Sequence, residues 1–177
     1  TNGKGVERIT ENGVLFGDKE YKVDCIIFAT GFEVGTSYVR RSGYDVTGRH
    51  GVTLSEKWAD GMRTLHGVMT NGFPNLFIIS NSQAGFTTNF PHAMDETSQH
   101  IGYMLKQCEK EQLSSIEASR EIEDKWVEEI IAVSRFASDF QESCTPGYYN
   151  NEGKPNPKSV QNGPYGKGSR PYFRITA

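Results

Sequence analysis

The hydrophobic pattern of the chain is dominated by two apolar runs, each closed by a small polar break. Val23 to Ala29 is apolar on both alternating faces except at Asp24, and it stops at Thr30-Gly31-Phe32. That pattern predicts a strand buried from both sides, as in a parallel sheet, with a sharp turn at its carboxyl end where open α/β sheets place ligands. Leu76 to Ile79 is a second run of strand length, entered through Gly72-Phe73-Pro74-Asn75 and left through Ser80 to Gly85. Ahead of the first run, the β-prone stretches 6–9, 14–16 and 20–23 are separated by Asn12-Gly13 and Gly17-Asp18, which predicts a small hairpin meander.

After residue 90 the period changes from strand to helix. Met94, Ile101, Met104, Leu105 and Cys108 share one face, and Pro91 suits a first turn, so a helix is expected over about 92–110. A second is expected from an N-cap at Ser119 to about 140, with Glu121, Glu123 and Asp124 in its early turns. Its buried stripe would be Trp126, Ile130, Val133, Ala137 and Phe140, and both helices would cover the sheet. Residues 33–66 read as irregular, with Trp58 packing a thin layer, and residues from Cys144 onward read as loop. The tyrosines and Phe173 in that last stretch are too numerous for a solvated tether and imply a loop folded over a surface.

Composition narrows the picture further. The 177 residues suffice for one ordinary core but not for two nucleotide-binding domains of about 150 residues each. A net charge of −3, with basic residues scattered among acidic ones, gives no footprint for nucleic acid. No stretch is long and apolar enough to span a bilayer, and the start of the chain has neither a signal-peptide core nor an initiator methionine, which fits a piece of a longer cytoplasmic protein. Cys25, Cys108 and Cys144 are three widely spaced cysteines, which argues against a disulfide framework and against a zinc site.

Familiar catalytic devices are missing from the sequence. Gly163 to Ser169 contains Gly-Lys but has Gly168 where a phosphate loop needs Ser or Thr, and no G-x-G-x-x-G or G-x-S-x-G occurs. The four histidines have no metal-ligand spacing. His92 stands apart because it opens a helix, where backbone N–H groups can favour an anion or an electron-rich ring oxygen.

Phe28-Ala29-Thr30-Gly31-Phe32 resembles the A-T-G-F element of class B flavoprotein monooxygenases, and further segments sharpen this to the Baeyer-Villiger monooxygenases. Glu56 to Thr64 is similar to that family's K-W-x-x-G-x-R-T segment. Gly72 to Phe77 is similar to G-F-P-N-L-F, Thr88 to Pro91 to T-N-L-P, and Ile116 to Ser119 with Trp126-Val127 to a helix preceded by I-E-A-T. The resemblance covers roughly residues 13–175 in order.

It implies an α/β fold: a partial Rossmann-like FAD-binding domain with a small β-meander, two main helices and a long C-terminal loop. Residues 1–32 would return the chain from an NADP domain to the FAD domain, 33–143 would be the C-terminal half of the FAD domain, and 144–177 a loop-rich segment. Ala29, Thr30, Gly31 and Phe32 would pass near FAD. Asn89, Phe90 and Pro91 would lie by the isoalloxazine, with a helix N-terminus aimed at its pyrimidine edge. Phe86, Thr87 and Thr88 would edge the substrate pocket, and Tyr148 would sit in the loop that closes over NADP. The implied activity of the parent is FAD- and NADPH-dependent conversion of ketones to esters or lactones. Alternatives are an N- or S-hydroxylating relative, or a non-catalytic domain of the same fold. The partner implied, besides the ketone, is the N-terminal part of the same polypeptide. The family's FAD and NADP fingerprints, its signature histidine and tryptophan, and its active-site arginine would all lie upstream, so no catalytic residue is expected in this segment and no metal. Tyr148 stands where relatives often carry Trp, and Phe90 where they carry Leu or Met.

Overall fold

A computed structural model describes residues 5–29, 38–134 and 160–177. The chain divides into two compact units: described residues 5–29 lie in the first, and 38–134 with 160–177 in the second.

The first unit contains the expected meander. Strands β1 (Arg8–Thr10), β2 (Gly13–Phe16) and β3 (Lys19–Lys22) form an antiparallel sheet in the order β1-β2-β3. Thr10 pairs with Gly13 and Phe16 with Lys19, so two-residue turns at Glu11-Asn12 and Gly17-Asp18 set the register. Gly17 adopts φ 58°, the left-handed conformation such a tight turn demands.

The run after β3 departs from expectation. Residues 23–29 form no strand, and Ile27 and Phe28 are 84% and 71% exposed. The reason is geometric, since a two-faced strand exists only between hydrogen-bonding neighbours and covering layers, and β3 ends at Lys22 without supplying either. Residues 76–79 are likewise not a regular strand; Leu76 to Ile78 lie half-buried and Ile79 is exposed, with the Ile78 N–H donating to Val68 O at 2.8 Å. Among the described residues, then, the only sheet is the meander, and the helices do not cover a parallel sheet.

The second unit is built from helices and anchored loops. Its elements are α1 (Tyr38–Ser42), a 3₁₀ turn (Arg49–Gly51), α2 (Leu54–Lys57), α3 (Phe90–Lys110), α4 (Arg120–Ala132) and α5 (Ser169–Thr176). The short α2 survives because Thr53 and Glu56 form a reciprocal capping box. Helix α3 starts at an Asn89 cap, with Pro91 in its first turn. It ends in a Schellman bond from the Leu113 N–H to Cys108 O, with Gln112 left-handed at φ 54°. Helix α4 begins at Ser119, whose hydroxyl accepts from the Ile122 N–H, and regular helix ends at Ala132 rather than near 140; Ala137 and Phe140 lie outside the described residues.

Helix α5 corrects the reading of the C-terminal stretch as loop. Tyr165 and Tyr172 are buried with Trp126, Ile130 and Ala84 in one core cluster, and Leu65, Val133 and Phe173 pack against it. A second cluster joins Val68, Met69 and Ala118 to Phe77, Ile101 and Met104. Through the two clusters, residues of the loop 62–85 pack against α3, α4 and α5. No described helix is long and apolar enough to cross a membrane.

Candidate functional site

Six of the expected contact residues are consecutive with one helix start. Phe86, Thr87, Thr88, Asn89, Phe90 and Pro91 run from the end of the anchored loop into the first turn of α3. Phe86 and Phe90 are 54% and 45% exposed, so two aromatic rings face outward beside the positive end of a 21-residue helix. Asn89 already serves that end: its side-chain oxygen accepts from the His92 N–H at 3.3 Å, and its own N–H donates to the Thr87 hydroxyl at 3.3 Å. Pro91 has no N–H to offer. Ala29 is exposed in the other unit, while Thr30, Gly31, Phe32 and Tyr148 lie outside the described residues.

The loop that delivers Phe86 is fixed by a glutamine. Gln83 is fully buried at left-handed φ 56°, and its side chain uses both ends. Its Oε1 accepts from the Thr64 N–H (3.0 Å) and the Thr64 hydroxyl (2.5 Å), and its Nε2 donates to Met62 O (2.6 Å) and Gln161 O (2.9 Å). Its backbone is held as well, because the Trp126 Nε1–H donates to Gln83 O (3.1 Å) and the Gln83 N–H to Gly163 O (2.8 Å). One residue on, Ala84 O accepts from the Tyr165 N–H at 2.9 Å. Buried polar groups satisfied this completely hold a loop in one conformation.

Gly85 follows, and α5 explains its identity. A Cβ there would lie 2.5 Å from Tyr172 Cδ1 and 3.2 Å from Phe173 Cε1, so the backbone rests directly on these two rings. Tyr172 is held in turn by its hydroxyl, which donates to His66 O at 2.6 Å, and burial pushes that phenol up from its ordinary value. The Phe173 ring meets His92 edge to face at 5.3 Å.

Two further histidines line this core. His66 packs edge to face on Trp126 at 4.7 Å and lies 6.0 Å from His100. Burial pulls the His66 imidazole down to about 4, with the neighbouring His100 adding to the shift, and burial also lowers His100 against an opposing hydrogen bond to the Thr176 backbone. His66 is therefore a neutral core residue at neutral pH.

A second feature was not visible as such in the sequence. Glu123 sits in the early part of α4, where an acidic residue suits the dipole, yet it is 1% exposed. Its Oε1 accepts from the Thr70 hydroxyl (2.9 Å) and the Asn71 N–H (2.8 Å), and its Oε2 meets Lys57 Nζ (2.9 Å) with Arg63 Nε at 3.8 Å. Arg63 also bonds Asp124. This network ties α2 and the 63–71 loop to α4.

Comparison with known proteins gives the site its context. No family model matches the chain. Neopentalenolactone D synthase of Streptomyces avermitilis is 46% identical over 177 residues, spanning 99% of this chain and 30% of the relative. A Baeyer-Villiger monooxygenase of Streptomyces coelicolor is 42% identical over 163 residues, spanning 92% and 27%. Among solved structures, the polycyclic ketone monooxygenase of Thermothelomyces thermophila matches with a TM-score of 0.80 at 35% identity over 98% of this chain and 29% of its own. The OTEMO structure in complex with FAD and NADP matches with a TM-score of 0.63 at 29% identity over 72% and 23%. The chain thus spans about 30% of the length of the first of these curated relatives.

Proposed function

We propose, from the premise that this chain is homologous to one segment of the Baeyer-Villiger monooxygenases, that it forms one wall of a flavin and substrate site in an FAD- and NADPH-dependent enzyme that converts ketones to esters or lactones. The observation that carries the reading is the outward-facing segment Phe86–Pro91, fixed behind by Gln83 and capping the positive end of α3. FAD fits this edge in kind: a planar ring finds exposed aromatic side chains, and a ring that gains electron density finds the helix end that favours negative charge. Bound there, FAD would supply the redox and oxygen chemistry.

The residues of this chain would have distinct tasks. Asn89, Phe90 and Pro91 would place the helix end by the pyrimidine edge, while Phe86, Thr87 and Thr88 would exclude water and shape the ketone pocket. Ala29, Thr30, Gly31 and Phe32 would pass near FAD, and Tyr148 would belong to the loop closing over NADP. Residues 23–29 and 76–79 would each become a strand of a Rossmann-like fold when neighbours from the rest of the polypeptide pair with them; their apolar two-faced sequence and the absence of strand pairing for them among the described residues support this. Segment boundaries near residues 32 and 143 follow the same reading, as does a cytoplasmic setting, which suits NADPH supply and the free thiols of Cys25 and Cys108.

The test uses the full-length protein. Flavin absorbance in the purified protein and ketone-dependent NADPH consumption are expected, with an ester or lactone as product. A colourless, cofactor-free protein would overturn the proposal.

A further inference from the structure

We infer that Tyr172 and Phe173 of α5 are positioning residues for the flavin-facing segment 86–91, an inference that rests on the function proposed above. Beyond the Gln83 network, α5 meets the segment at both of its ends. Upstream, the Gly85 backbone lies against the two rings so closely that a Cβ would fall 2.5 Å from Tyr172 Cδ1 and 3.2 Å from Phe173 Cε1. Downstream, the same Phe173 ring packs edge to face on His92 at 5.3 Å. One phenyl group therefore touches the residues immediately before and after the stretch expected to meet the cofactor.

The support behind the rings is rigid. Tyr172 is buried, its hydroxyl bonded to His66 O at 2.6 Å, and its ring lies 6.3 Å from Trp126 and 6.2 Å from Tyr165. Tyr172 cannot retreat without breaking the bond to His66, and Phe173, its neighbour on the helix, packs on it at 5.6 Å. Between the two anchors, Phe86 and Phe90 are exposed, so their placement depends on where the anchors hold the backbone. A contact to a reacting ring needs placement within about 0.5 Å, which two exposed aromatics on an untethered loop would not keep. Neither Tyr172 nor Phe173 needs to touch the cofactor for this role.

The experiment compares full-length protein carrying Phe173→Ala, Phe173→Leu, Phe173→Tyr or Gly85→Ala with the parent. It reads the visible flavin absorption and fluorescence, the kcat and KM for NADPH, and the share of NADPH whose two electrons reduce oxygen to hydrogen peroxide instead of supporting ketone oxygenation. Phe173→Ala is expected to keep its flavin, alter the flavin spectrum, lower kcat about 10- to 100-fold with KM changed less than about threefold, and raise the peroxide share. Gly85→Ala should do the same from the other side of the contact, and Phe173→Tyr, which keeps the ring, should restore the parent's values. If Phe173→Ala does not fold, Phe173→Leu removes the flat ring at similar volume and is read in its place. Unchanged spectrum and peroxide share in a folded, flavin-loaded Phe173→Ala or Phe173→Leu protein would overturn the inference while leaving the proposed function standing. A parent protein without flavin would instead defeat the proposed function, and this inference with it.

Discussion

Replacing Glu123 with alanine should be among the most damaging single changes in the second unit. The carboxylate is 1% exposed and accepts from the Thr70 hydroxyl and the Asn71 N–H while facing the Lys57 ammonium, whose side chain is itself only 15% exposed. Alanine would leave the Lys57 charge buried with Glu123 gone, which costs about 3 to 5 kcal/mol in comparable sites. It would also strand the Asn71 N–H, so the upper half of that range is expected. With a urea dependence of about 2 kcal/mol per molar, the unfolding midpoint should fall by about 2 M. Glu123→Gln tests the electrostatic part separately. It keeps one oxygen for Thr70 and Asn71 but turns an amide N–H₂ toward Lys57. Pairing it with Lys57→Met should recover more than half of its loss, because the donor-facing-donor contact disappears. The measurement is urea unfolding followed by Trp fluorescence, with Trp126 buried in the adjacent core as reporter. A midpoint shift below about 0.5 M for Glu123→Ala would refute the claim that this network clasps α4 to the 57–71 segment.

Three other outcomes are expected. Asn89→Ala should cost about 1 kcal/mol by uncapping α3 and should raise hydrogen exchange at the His92 amide, measured by mass spectrometry or NMR. Gln83→Leu removes four hydrogen bonds at a fully buried position and should destabilise by about 2 to 4 kcal/mol, with new protease cleavage between residues 80 and 90. For pH, His66 is neutral when folded and titrates at about 4 instead of 6.5, so protons bind the unfolded chain first. Its contribution is intact above pH 6.5 and is lost as the pH falls toward 4, by about 3 kcal/mol in total. His66→Gln should flatten the stability profile between pH 6.5 and 4 in parallel urea titrations; an unchanged slope would count against a buried neutral imidazole.

The parts of the fold legible in the sequence are those whose determinants are local. Gly17-Asp18 marks the second hairpin turn, and Asn12-Gly13 marks the first to within one residue, since the turn falls at Glu11-Asn12, because turn chemistry sets hairpin register locally. Ser119 and Pro91 mark two helix starts for the same reason, the second beginning two residues before the expected position, at Phe90. Helix α5 escaped notice because Gly168 caps it without a side-chain bond and the surrounding Pro, Gly and Tyr read as loop; only its position against Trp126 makes Tyr172 core. Glu123 looked like a surface acid suited to a helix dipole, and its burial depends on Lys57, Thr70 and Asn71, which lie 52 to 66 residues away. The run 23–29 carries a strand's sequence, yet a strand is a relation between segments, and β3 stops before it. Motif similarity singles out the segment 86–91 of the candidate site but not Gln83, Gly85, Tyr172 and Phe173 behind it, since their roles arise from tertiary contact.

The close seating of Gly85 on α5 sets a rule for anyone building chimeras from these proteins. Transplanting the 83–92 loop alone would bring a new backbone onto rings shaped for the old one. The workable graft is discontinuous: residues 83–92 together with 161–176, two pieces far apart in sequence that recombine only as a pair.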